Sequence, residues 1–360
     1  MPPSDGRPDL SGLELGELER RFEAAGIAPF HARQVFSWIH RRAVIEPERM
    51  TDLSRELRRS LVDTFTISTP RVASRQTSSD GTEKFLLELA DGRQIESVFI
   101  PDTPAMTFCI SSQVGCAMDC AFCLTGRMGF VRNLSPGEIV AQVRTLGGTL
   151  GLLDSRFNVV LMGMGEPLHN YDAVMTALRI LTDLHGLGMN PRRITLSTVG
   201  LVPAIERLAR EPVMPNLAIS LHATTEASRS GIVPVNRKYP LEALIAACGR
   251  IPLKRRDRIT FEYVLLDGVN DTPEDARRLA KLLGSLKAKV NLIPLNAAPG
   301  IDFERPSDER VDRFAAILAR QGLTVSVRKS RGRDIRAACG QLIVEGQRKT
   351  PGQRAAAMMS

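Results

Sequence analysis

Residues 107–123, TFCISSQVGCAMDCAFC, run from an apolar, strand-forming stretch straight into three cysteines at C-x3-C-x2-C spacing. The stretch opens a series. Apolar strand-like runs follow at NVVLMGMG (158–165), RRITLSTVG (192–200), NLAISLHA (216–223), ITFEYVLL (259–266), KVNLIPLN (289–296) and LTVSVR (323–328). Helical stretches such as YDAVMTALRILTDLHG (171–186) and DERVDRFAAILARQG (308–322) separate them. This is a repeated βα unit, which builds either an open doubly wound sheet or a full or partial barrel. Six or so units without a glycine-rich phosphate fingerprint predict the barrel, with functional groups gathered at the C-terminal ends of the strands.

Upstream, LSGLELGELERRFEAAG (10–26), FHARQVFSWIHRRAV (30–44) and MTDLSRELRRSLVDTF (50–65) carry apolar residues at helical spacing, with Asp52 and Ser54 as candidate caps of the third helix. KFLLELADGRQIESVFIP (84–101) places two strand-forming runs around Asp91-Gly92, a hairpin signal. The expected organisation is a helical domain over 1–65, a β-hairpin linker over 66–104, the barrel over 105–345 and a mobile tail over 346–360. The fold class is α/β, a partial (β/α)6 TIM-like barrel with a small N-terminal helical domain and a β linker.

With 43% hydrophobic and 24% charged residues in 360, the chain can bury a large core without cross-links. An aromatic content of 5% argues against stacking platforms for single strands. No stretch approaches the ~20 apolar residues of a membrane span, and MPPSDGRPDL lacks a signal-peptide layout, so a cytoplasmic protein is expected. There, six cysteines read as ligands, reactive thiols or core residues. A net charge of +8 fits either a polyanion partner or a merely basic enzyme.

Cys116, Cys120 and Cys123 stand at metal-ligand spacing just after the first strand of the series. Structural zinc takes four protein ligands in paired knuckles, and no second C-x2-C pair exists here. Three thiolates suit a cubane iron–sulfur cluster with one iron open. A basic RNA-binding protein with structural zinc is the alternative from another class.

CAMDCAFC, with Phe122 in the aromatic place, resembles the signature of radical S-adenosylmethionine enzymes. The longer set CISSQVGCAMDCAFCLTGRMGFVRNL, LMGMGEPLHN, ITLSTVG, SLHA, LIPLN and RGRDIRAACGQL resembles the RlmN/Cfr family of radical RNA methyltransferases over nearly the whole chain. The resemblance implies a [4Fe-4S] cluster on Cys116, Cys120 and Cys123. It implies S-adenosyl-L-methionine, two per turnover, held by Gly165, Glu166, Ser197, Ser220, Leu221, His222 and Asn296. It implies Cys339 as a methyl-carrying cysteine, Cys109 as the thiol that resolves the RNA adduct by a disulfide with Cys339, and Glu96 as the acid/base residue. Without the resemblance, Cys339 reads as a buried small residue, Glu96 as a solvated strand carboxylate, and the glycines, serines, His222 and Asn296 as turns and caps. Cys248 has no family role and reads as core.

The implied substrate is an adenine of 23S rRNA, methylated at C2, or at C8 in the Cfr branch, with tRNA anticodon loops as a second target. Implied partners are an electron donor such as flavodoxin or ferredoxin and no membrane, and the protein is expected to be a monomer. The basic runs KRR (254–256) and RKSRGRDIR (328–336) read as solvated faces or RNA contacts. The second ends three residues before Cys339.

Overall fold

The computed structural model describes residues 6–101 and 105–344. The expected tail, 346–360, lies outside the described residues. Helices α1 (Leu15–Ala24), α2 (Phe30–His40) and α3 (Arg55–Thr64) form where the periodicity predicts. Their inward positions, Leu18, Phe22, Val35, Phe36, Ile39 and Leu61, are buried. Ser54 caps α3 by accepting the Leu57 N–H at 3.1 Å. Asp52 is not a cap. It accepts the indole N–H of Trp38 instead, because a buried indole needs a partner.

Strands β1 (Arg71–Thr77), β2 (Glu83–Glu88) and β3 (Gln94–Ile100) pair antiparallel. The β2–β3 turn at Asp91-Gly92 is the expected hairpin; β1 is an additional strand. It is mostly exposed, so its sequence lacks the apolar alternation that marks a strand. β3 continues antiparallel onto β4 (Thr107–Cys109), the first strand of the βα series.

After β4 come a two-stranded sheet of β5 (Gln113–Gly115) and β6 (Phe130–Asn133), with helix α4 (Leu124–Met128) between them, and then α5 (Pro136–Leu150). The alternation proceeds as β7 (Asn158–Leu161), α6 (Tyr171–Thr182), β8 (Ile194–Thr198), α7 (Val202–Leu208), β9 (Asn216–Ser220), α8 (Glu226–Ile232) and α9 (Leu241–Gly249). It closes with β10 (Ile259–Leu265), α10 (Pro273–Leu283), β11 (Ala288–Pro294), α11 (Asp308–Arg320) and β12 (Thr324–Val327). β4, β7, β8, β9, β10, β11 and β12 are parallel neighbours in chain order.

That order decides between the two architectures. A doubly wound sheet reverses its strand order at a switch point. Here no reversal occurs among the described residues, so the sheet curls one way: six strand–helix units and a terminal strand. β1 and β12 form the two edges and do not pair, leaving the barrel open.

The β1–β2 turn reaches across toward the loop after β12. Ser78 Oγ and the Ser79 N–H donate to the Asp334 carboxylate, and the Gly332 N–H donates to Asp80 at 3.0 Å. Among the described residues no helix is long and apolar enough to cross a membrane.

Candidate active site

The cysteine loop is fixed by backbone. Gly115 has φ +75°, and a Cβ there would fall 1.9 Å from Gly129 O, so only glycine lets β5 and β6 close beneath the loop. The Cys116 N–H donates to Gly129 O at 3.1 Å, and the Ala121 N–H to Ile232 O at 2.9 Å. The far end is tied to the C-terminal segment: the Leu124 N–H donates to Gly340 O at 2.8 Å, and Thr125 Oγ1 to Leu342 O at 2.7 Å.

The three thiols line a cavity of about 140 Å³ together with Gly165, Glu166, Ser197, Ser220, His222, Asn296 and Cys339. Among the described residues no three His, Cys, Asp or Glu side chains gather as ligands of a single ion. A cubane takes each of three thiolates on a different iron, and all three here open on one cavity. The donor set therefore fits the cluster. Burial raises all three bare thiols, most strongly Cys120.

The strand ends supply the rest. Gly165 has φ +103°, and a Cβ there would meet Gln113 at 2.6 Å. Glu166 accepts the N–H groups of Leu168 at 3.0 Å and Val199 at 2.9 Å, while burial pushes its carboxyl up to about 7. His222, at φ +59°, accepts the Val264 N–H on Nδ1 at 3.0 Å, which places the proton of the neutral ring on Nε2. Burial, then Arg229, lowers it to about 3, and Phe122 packs edge-on with centroids 4.6 Å apart. Leu221 is fully buried and does not line the cavity.

Asn296 Nδ2 donates to Cys339 O at 3.2 Å, but its buried Oδ1 has no partner. An orphaned buried acceptor on the cavity wall is what a ligand amino group would satisfy.

A second cavity, about 630 Å³, is lined by Cys109, Cys339, Asn158, Asn216, Asn291 and several cationic side chains. Met162, Ile293, Asn296, Arg328 and Cys339 line both cavities, so Cys339 stands on their common wall. Burial first, and Cys339 second, push the Cys109 thiol up to about 12, with Arg328 opposing. The Arg328 guanidinium is raised chiefly by Cys339.

Two expectations need correction or comment. All six cysteines are free, so no disulfide joins Cys109 to Cys339 here; both remain thiols on one cavity. Glu96 lines neither cavity: its carboxylate pairs with Lys84 Nζ at 2.9 Å and accepts the Ile343 N–H at 2.8 Å, bracing the segment just beyond Cys339. Cys248 is buried, as read.

Sequence reasoning missed two residues. Glu262 lines the smaller cavity, buried and bonded to Asn291 at 2.8 Å; a carboxylate amid ITFEYVLL was the available signal. Arg229 is wholly buried and donates to the carbonyls of Val199, Ser220 and Leu221, pinning the ends of β8 and β9. In TTEASRSG it reads as a surface arginine, and nothing local distinguishes it.

Residues 8–67 match the ribosomal RNA large subunit methyltransferase N-terminal domain, and residues 110–283 match the radical SAM superfamily. The chain is 47% identical to a dual-specificity RNA methyltransferase RlmN of Anaeromyxobacter dehalogenans, over 99% of this chain and 97% of that one. It is 50% identical to an RlmN of Geobacter sulfurreducens, over 93% and 91%. The crystal structure of a radical SAM methyltransferase from Sphaerobacter thermophilus superposes with a TM-score of 0.89 at 47% identity, covering 93% of this chain and 99% of that one. With near-complete coverage at this identity, and the cysteine loop and strand-end residues assembled on one cavity, this chain belongs to the RlmN family of the radical SAM superfamily.

Proposed function

We propose that this chain methylates C2 of one adenine in 23S ribosomal RNA, and of one adenine in transfer-RNA anticodon loops, with Cys339 as the carrier of the methyl carbon. The observation that supports it most is the position of Cys339 on the wall shared by the two cavities. Cys116, Cys120 and Cys123 would hold a [4Fe-4S] cluster. Glu166, Ser197, Ser220, His222 and Asn296 would hold S-adenosylmethionine, with Gly165 and Leu221 shaping the backbone around it. When bound, these groups supply a methyl group from one S-adenosylmethionine and a 5′-deoxyadenosyl radical from a second, reduced through a small electron carrier such as flavodoxin or ferredoxin.

The chain's own residues do the rest. Adenine C2 is an electron-poor carbon and no nucleophile, so the methyl carbon must first be parked on a sulfur that can deliver it as a radical. Cys339 is that sulfur, and after carbon–carbon bond formation the base is tethered to it. Cys109, on the same cavity, releases the base: the adduct loses its C2 proton to a base and its unpaired electron, which the cluster held by Cys116, Cys120 and Cys123 would take up, and an S–S bond then forms as the C–S bond breaks, the freed carbon taking up a proton to become methyl. The family resemblance assigns that proton to Glu96, whose carboxylate stands behind the cavity wall rather than on it. Its bonds to Lys84 and the Ile343 N–H are ones that an ionised carboxylate accepts.

The test is methylation of 23S ribosomal RNA fragments and transfer RNA by reconstituted enzyme, with the methyl position assigned by mass spectrometry. 2-Methyladenine in both is the expected product. 8-Methyladenine would replace the C2 assignment, and unmodified RNA would refute the activity.

A further inference from the structure

A filled (β/α) barrel carries bulky branched side chains at its inward positions, and its N-terminal end serves stability. This barrel departs from both rules. Thr107, Asn158, Thr195, Asn216 and Asn291 line the large cavity, together with Lys289. Thr107, Asn158 and Asn216 are the first residues of their strands that the cavity touches. Thr107 pairs with Asn158, and Thr195 with Asn216, so these short polar chains form a ring at the N-terminal end. The cavity thus runs through the barrel, from Cys109 and Cys339 down to the face opposite the cysteine loop.

That face is cationic, as is the loop after β12, whose Lys329 and Arg331 line the same cavity. Arg192 and Arg193 immediately precede β8 and line the cavity. Lys254, Arg255, Arg256 and Arg258 lie in the loop before β10 and are exposed. Lys289, on β11, points inward and remains exposed. One carboxylate, Asp257, meets this group, 3.4 Å from Arg192. Arg255, Arg256 and Arg258 are in no ion pair among the described residues. Exposed cations left unpaired around the mouth of a polar channel suit a polyanion.

We propose that RNA docks on the N-terminal end of the barrel and inserts its target nucleotide upward through the polar channel, while the cofactors occupy the opposite end. This rests on the RNA-modifying reading above and adds the route and its residues. Arg192, Arg193, Arg255, Arg256 and Lys289 take backbone phosphates near the extruded nucleotide. The Asn158 amide faces the edge of a base as it passes toward Cys339, beside Asn216, whose Nδ2 donates to Arg192 O, and Asn291, whose amide is held by Glu262 and Ser326. The cofactor and the RNA then reach Cys339 from different sides and do not compete for one mouth.

The experiment uses the full-length holoenzyme with a 23S ribosomal RNA fragment, comparing R255E/R256E, K289Q and R333E with wild type. Methyl loading of Cys339 without RNA, read by mass spectrometry, is the control that the cofactor end is intact. With loading normal, RNA affinity should fall about tenfold or more in R255E/R256E, and the slope of log affinity against log salt should become shallower by about one to two. K289Q should weaken binding less. Unchanged affinity and salt slope in both variants would overturn the route. So would a loss confined to R333E, which would put entry beside the loop after β12. If wild type itself neither loads Cys339 nor methylates RNA, the functional reading fails; if only the route variants are silent, this proposal alone fails.

Discussion

Cys116, Cys120 and Cys123 share one short loop, whereas Cys109 and Cys339 come from the first strand of the barrel and the loop after its last. In the first group the cysteines themselves bond nearby, Cys116 N–H to Gly129 O and Cys123 N–H to Cys120 O, and only their neighbours Ala121, Leu124 and Thr125 reach distant segments. The second pair meets only when the sheet has curled and residues 332–334 are anchored on the β1–β2 turn. A metal centre tolerates local construction because its ligands need only one loop. Two thiols brought to one cavity from opposite ends of the strand series need the whole fold.

Substitutions can pull the two groups apart. Cys120→Ala should remove iron, abolish methyl loading of Cys339 and lower RNA methylation by at least ~10⁴-fold, read by iron content, mass spectrometry and turnover. Retained iron and loading would break the assignment of the loop. Cys339→Ala should keep the iron and its visible absorption yet lose RNA methylation by at least ~10³-fold. Cys109→Ala should keep both iron and loading but accumulate RNA covalently attached to Cys339 on a denaturing gel. Free methylated RNA in that variant would remove Cys109 from the release step.

Two smaller effects concern the supports. Arg229→Met strands three buried carbonyls, and should lower unfolding free energy by ~2–4 kcal/mol in chemical denaturation. An unchanged midpoint would show that other donors replace it. The smallest effect is expected at the latch. Burial alone would raise Asp80, but its bonds to Thr82 and the Gly332 N–H outweigh it and hold the carboxyl at about 2 against an ordinary 3.8. Because the folded value is the lower one, its stabilisation is fully present above about pH 4 and is lost as pH falls toward 2. Asp80→Asn should flatten acid unfolding in that window. It should also speed alkylation of Cys339 at neutral pH, and identical alkylation would detach the latch from the thiol.

Legibility followed the same division. The strands of the series and the cysteine spacing were readable because each is a local pattern: an apolar run ending in a turn, or ligands three and four residues apart. Ser197, Ser220, His222 and Asn296 were readable as a group only because all stand at strand C-termini, which a barrel brings to one rim. Cys339 and Cys109 carried no signal of their own; their meeting depends on curvature that no local window encodes, and only the family resemblance singled them out. β1 escaped because an exposed edge strand needs no apolar face. Glu96 was placed by resemblance, but its partners Lys84 and Ile343 come from a neighbouring strand and the far end of the chain.

The hydrogen bonds from Leu124 and Thr125 to residues 340 and 342 carry a consequence for synthesis. Domains fold as they emerge from the ribosome, N-terminal parts first. The cysteine loop and most of the strands that surround it are complete while Cys339 is still unmade. A nascent chain therefore has Cys116, Cys120 and Cys123, the proposed ligands, together before Cys339, the proposed methyl carrier, is made, and the last described segment of the polypeptide closes over a loop already formed.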